Sequence, residues 1–121
     1  MHFNWCTLHV SNLEASVKFY EEIAGLSIDR HYFSGPDKEI IFMGTGETKL
    51  ELIYQKGQNE ISMGEDISIG FEAESLEKLM ELLKEKDVPI TAGPIQPNPN
   101  IRFIYVKDPN GLTVQFAEHF A

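Results

Sequence analysis

Cysteine is almost missing from this sequence: Cys6 stands alone, so no intrachain disulfide can brace the fold. Basic side chains are scarce as well. Ten lysines and arginines against nineteen aspartates and glutamates leave a formal charge of −9 at pH 7, which repels phosphate backbones and anionic lipid and argues against nucleic acid or membrane as partners. Long apolar runs are lacking too; Ile40 to Gly44 is among the longest, far short of the ~20 residues that span a bilayer. The opening MHFNWCTLHV has no basic region followed by an apolar run, which points to a cytoplasmic location. What remains is ordinary globular material. The 121 residues, 42% hydrophobic and 24% charged, suffice for one domain that buries roughly two thirds of its unfolded surface.

The first half reads as β-α-β-β-β. Phe3 to Val10 is rich in apolar and β-branched residues and predicts a strand. Ser11 and Glu14 have capping-box spacing and predict a helix over about 12–24, with Leu13, Val17, Tyr20 and Ala24 on its apolar face and Gly25 ending it. Strands follow at Ser27 to Phe33, Glu39 to Met43 and Lys49 to Tyr54, separated by glycine turns. The polar stretch 57–65 reads as a linker. After it the order repeats: a strand at Asp66 to Ala73, a helix from Ser75 to near Asp87 carrying Leu76, Leu79, Met80 and Leu83, then strands at Val88 to Thr91, Ile101 to Val106 and Leu112 to Phe116. Thr91 to Asn100 contains Gly93, Pro94, Pro97 and Pro99 and predicts an irregular loop, either a lid or a stiff connection. Sliding the chain on itself lays Leu13-Glu14 on Leu76-Glu77 and Leu50-Glu51-Leu52 on Val114-Gln115-Phe116. The chain is therefore expected to be a single α+β domain of two modules, about 1–56 and 66–121.

With its helix Val10-Ser11-Asn12-Leu13-Glu14-Ala15-Ser16-Val17-Lys18-Phe19-Tyr20 and its turn Lys107-Asp108-Pro109-Asn110-Gly111, the repeat resembles the vicinal oxygen chelate superfamily. That group comprises glyoxalases, bleomycin-resistance proteins and extradiol dioxygenases. The resemblance implies two βαβββ modules whose curled mixed sheets surround a cavity, and a homodimer. In metal-dependent members a His precedes the first helix, a Glu sits on the fourth strand, a His opens the fifth and a Glu sits on the last. Carried over, those places hold Trp5, Glu51, Ser68 and Gln115. Glu51 alone is a good ligand, since indole offers no lone pair and an amide plus a hydroxyl supply little donor strength. No metal or other cofactor is therefore expected, the one alternative being a displaced site built from His9 and Glu51 with His2 or His31.

Stepping by two from these positions lists the cavity face. The first strand contributes Trp5, Thr7 and His9; the fourth Lys49, Glu51, Ile53 and Gln55; the fifth Ser68 and Gly70; the last Thr113, Gln115 and Ala117. Tyr105 matches a substrate-contacting tyrosine of fosfomycin-resistance relatives, and Phe103 shares its face. Trp5, Phe103 and Tyr105 would stack on a flat ligand while Thr7, Ser68 and Gln115 supply hydrogen bonds, unless Trp5 and Phe103 instead plug the cup as core. Glu51 is either a general base or an ordinary carboxylate, paired with Lys49 or Arg102 or solvated at an edge. His9 stands where glutathione-using relatives carry an Arg, and Gln55 where they carry an Asn. Cys6, on the other face from Trp5, reads as a buried structural thiol.

Three functions fit. The first is a bleomycin-resistance-like protein holding a small, aromatic molecule without the usual divalent metal. The second is a lyase or isomerase of the lactoylglutathione lyase type with a rearranged metal site. The third is an interaction module whose cavity has closed.

Overall fold

Asn12, not Ser11, begins the first helix: its side chain accepts the Ala15 backbone N–H at 3.0 Å, with φ −135° and ψ 97°. Asx and hydroxyl side chains cap equally well, so the one whose backbone is extended immediately before the first helical turn takes the position. In this computed structural model, which describes residues 1–121, the elements are β1 (Trp5–Val10), α1 (Leu13–Glu22), β2 (Ile28–Phe33), β3 (Lys38–Met43), β4 (Lys49–Gln55), β5 (Ser68–Glu72), α2 (Leu76–Glu85), β6 (Ile90–Asn98), β7 (Ile101–Lys107) and β8 (Thr113–His119). The chain divides into two compact units, Met1–Ser62 and Met63–Ala121.

Each unit is a four-stranded mixed sheet, not closed on itself. The orders are β1-β4-β3-β2 and β5-β8-β7-β6, with β1 parallel to β4, β5 parallel to β8, and the remaining pairs antiparallel. A helix covers one face of each sheet. In the first unit Ser16, Phe19 and Tyr20 of α1 and its C-cap Ile23 are buried, as are Leu8, Val10, Ile41, Met43, Leu50 and Leu52 on the strands. The buried stripe is thus rotated from the expected Leu13, Val17 and Ala24, which sit half-buried beside it. Gly25, at φ +72°, turns the chain so that the Leu26 N–H reaches the Tyr20 carbonyl at 2.9 Å. In the second unit Leu76 and Leu83 of α2 are buried, together with Ile104, Val106, Val114 and Phe116. Ser75 caps α2 through Lys78 N–H, and Glu118 Oε1 accepts the Leu76 N–H at 2.7 Å.

The expected loop over 91–100 is instead most of a strand. β6 runs from Ile90 to Asn98 along β7 with register shifts between Ile90 and Ala92, Ala92 and Ile95, and Ile95 and Asn98. Being an edge strand, β6 has to pair on one side only, so Pro94 and Pro97 fall where no ladder hydrogen bond is needed. Gly93 explains the path: at φ +99° it lies so close to β7 that a Cβ would meet the Phe103 carbonyl oxygen at 2.8 Å. The segment is therefore a paired strand rather than an irregular connection.

Candidate ligand-binding site

On the face of the first sheet opposite α1, strand register lines four side chains into one row. Thr7 stands opposite Glu51, Glu51 opposite Phe42, and Phe42 opposite Arg30. The Thr7 hydroxyl donates to Glu51 Oε1 at 2.5 Å, and the carboxyl residue is only 9% exposed. Phe42 is the buried floor. Trp5 packs edge-on against it at 5.6 Å between ring centroids, Tyr32 lies nearly parallel at 6.4 Å, and the Arg30 guanidinium carbon sits 4.4 Å above the ring. Trp5 and Tyr32 themselves remain 47% and 42% exposed. His9 and Gln55 extend the face along β1 and β4, and Lys49 is tied to the Gly44 carbonyl at 2.8 Å.

The second sheet repeats the geometry with different chemistry. Trp5 pairs with Lys49, two residues before Glu51; Ser68 pairs with Thr113, two residues before Gln115. Gln115 Nε2 donates to the Tyr105 hydroxyl at 3.3 Å, and Phe103 meets the Tyr105 ring edge-on at 5.7 Å. Gly70 leaves room for the amide: a Cβ there would stand 3.4 Å from Gln115 Oε1. Between the last two strands, buried Asp108 accepts the Asn110 and Leu112 backbone N–H groups at 2.8 and 2.9 Å, which fixes the DPNG turn and so the register of Tyr105 on Gln115.

Several expectations change on contact with this geometry. Glu51 pairs with Thr7 rather than with Lys49 or Arg102; Lys49 takes Gly44 and faces Asp29 at 3.8 Å, and Arg102 lies in register with Glu118. Trp5 does not plug the first unit as core, because nearly half of its surface is free. Cys6 is half-buried rather than fully enclosed. Of the histidines named for a displaced site, His31 bonds Glu39 at 2.6 Å and His2 approaches the Glu47 carbonyl at 3.3 Å. Arg30, Tyr32 and Phe42 were not among the expected site residues. Stepping by two along β2 and β3 would have listed them, but only with the hairpin register in hand, and a register shift between Ile28 and Arg30 obscures it. A surface hollow of about 540 Å³ lies elsewhere, between α1 and β3 and lined by Leu13, Val17, Lys18, Glu39 and Ile41 among others. It holds none of the expected site residues.

The family model for the Glyoxalase/Bleomycin resistance protein/Dioxygenase superfamily matches residues 2–116. The chain belongs to this superfamily. Among similar proteins of the superfamily, a probable lactoylglutathione lyase of Vibrio parahaemolyticus is 27% identical over 93% of this chain and 86% of its own. The trypanothione-dependent glyoxalase I of Leishmania major superposes with a TM-score of 0.85 at 25% identity, covering 98% of this chain and 86% of that one. An antibiotic-binding protein from a Streptomyces species shares the fold with a TM-score of 0.77 at 18% identity over 99% and 97% of the two chains.

The resemblance implies a divalent metal, and of the four residues carried over to its ligand positions Glu51 is the one carboxylate. Indole Nε1 only donates, Ser68 offers a neutral hydroxyl and Gln115 a neutral amide whose Nε2 donates to Tyr105, while Glu51 Oε1 accepts from Thr7. No group of three or more His, Cys, Asp or Glu side chains is placed to bind an ion. The first sheet thus carries an aromatic shelf, Trp5 and Tyr32 on Phe42, at the place where the resemblance leads one to expect a ligating side chain on β1.

Proposed function

We propose that this protein binds a small, flat molecule on the sheet faces opposite its helices, without a divalent metal. The observation that carries the reading is the half-exposed shelf of Trp5 and Tyr32 on buried Phe42. Exposed aromatic side chains cost solvation free energy that a stacked ligand recovers, and a few polar groups among them set orientation. Thr7, His9 and Gln55 on the first sheet, and Ser68, Gln115, Tyr105 and Phe103 on the second, are the groups we assign to contact. The Streptomyces relative is named for antibiotic binding, which supports sequestration as a use of the fold. A homodimer is the oligomer we assign, isologous pairs being the commonest kind.

A second reading is favoured by the Vibrio relative and by Glu51 itself: a lyase or isomerase in which Glu51 is the general base. A lone carboxylate with nothing to stabilise the developing oxyanion is a weak catalyst, which ranks this reading second. Elemental analysis and divalent-metal titration of the purified protein, with Glu51→Ala as control, separate the two. The binding reading expects no metal above background. Stoichiometric zinc, nickel, cobalt or manganese that disappears in Glu51→Ala would put the enzyme first.

A further inference from the structure

We infer that Arg30 anchors the anionic end of a flat, conjugated ligand on the first sheet, an inference that rests on the small-molecule reading above. The guanidinium carbon stands 4.4 Å over Phe42 and 6.0 Å from the Tyr32 ring centroid. A ring face attracts a cation but accepts no in-plane hydrogen bond, so the fork of N–H donors stays open for a carboxylate. The neighbouring acids do not take it. Asp29 faces Lys49, Glu39 binds His31, and Glu51 holds the Thr7 hydroxyl.

The row also gives the ligand a direction. Arg30 on β2 and Glu51 on β4 face the same way across two strand intervals, about 10 Å at the backbone, with the Phe42 ring between them. An anionic group is attracted to the β2 end and repelled from the carboxylate at the other. The body of the molecule then lies along Trp5 and Tyr32, whose exposed rings supply the stacking surface. On a chain with a formal charge of −9, a guanidinium held on an aromatic floor is a local reversal of sign that lets a small anion settle.

The test uses 2-naphthoate and its neutral counterpart 2-naphthamide, titrated calorimetrically into the full chain, with the Trp5 indole N–H resonance followed by NMR to locate them. Wild type is expected to bind the carboxylate about tenfold or more tightly than the amide, consistent with one charge-assisted fork. Arg30→Gln should abolish that preference, while Arg30→Lys, which keeps the charge and loses the fork, retains part of it. Equal affinities in wild type, or a preference that survives Arg30→Gln, would remove Arg30 as the anchor and leave the binding reading in place. Binding of neither probe to wild type would overturn both. The wild-type comparison decides even if Arg30→Gln folds poorly.

Discussion

Thr7 and Glu51 form the tightest side-chain pair on the first sheet, a hydroxyl donating to a largely buried carboxylate at 2.5 Å. A buried acceptor that loses its donor costs more than the bond was worth, because desolvation is no longer offset. Thr7→Val should lower unfolding free energy by about 1–3 kcal/mol in urea titrations, and Thr7→Val with Glu51→Leu should recover most of it, since neither partner is then left unpaired. A full-sized loss persisting in the double variant would show that Thr7 matters through packing instead. Trp5 is the opposite case. With 47% of its surface exposed, Trp5→Ala should cost roughly 1 kcal/mol or less of stability, yet abolish calorimetric binding of a flat probe. A large fall in stability would mark it as core. That Trp5 lies on the same face of β1 as Thr7 was legible from alternation; that it stands on Phe42 beside Arg30 was not, because the row runs over all four strands, whose register no local pattern states.

At the scale of elements, helical spacing and short apolar runs bounded by turn residues located both helices and seven of the strands to within a few residues. Of β6 only the start was legible, as the strand expected over Val88 to Thr91; prolines obscured the rest, and pairing with β7 carries the strand on to Asn98. Gly93 is the position that permits this pairing, and Gly93→Ala would drive a Cβ to 2.8 Å from the Phe103 carbonyl while holding a left-handed φ. A destabilisation of about 1–3 kcal/mol is expected, measurable as a lower urea midpoint. The cap of α1 makes a finer distinction: Asn12→Ala should cost about 1 kcal/mol, whereas Ser11→Ala should stay within about 0.5 kcal/mol. The reverse order would restore Ser11 as the cap.

For the whole molecule, acidity sets the pH response. Glu72 is held below its ordinary value of 4.5, first by the side-chain bond from His119 at 2.6 Å and then by the His119 backbone N–H. A carboxyl whose folded pKa is lowered stabilises above its unfolded value and loses that contribution as pH falls through the folded one. Glu72→Gln should therefore be less stable than wild type at neutral pH and equal to it in strong acid, read from thermal midpoints across the acid range; a constant offset at every pH would contradict the assignment. The overall architecture, two repeated β-α-β-β-β units, was legible because the chain nearly repeats itself, with Glu51 and Gln115 in equivalent registers. What each unit binds depends on side chains that converge only in three dimensions. The measurement that tests the account most directly is calorimetric titration of 2-naphthoate into the chelator-stripped protein, repeated with excess zinc and nickel. The account predicts the same affinity in all three conditions, and binding that appears only when metal is added would contradict it.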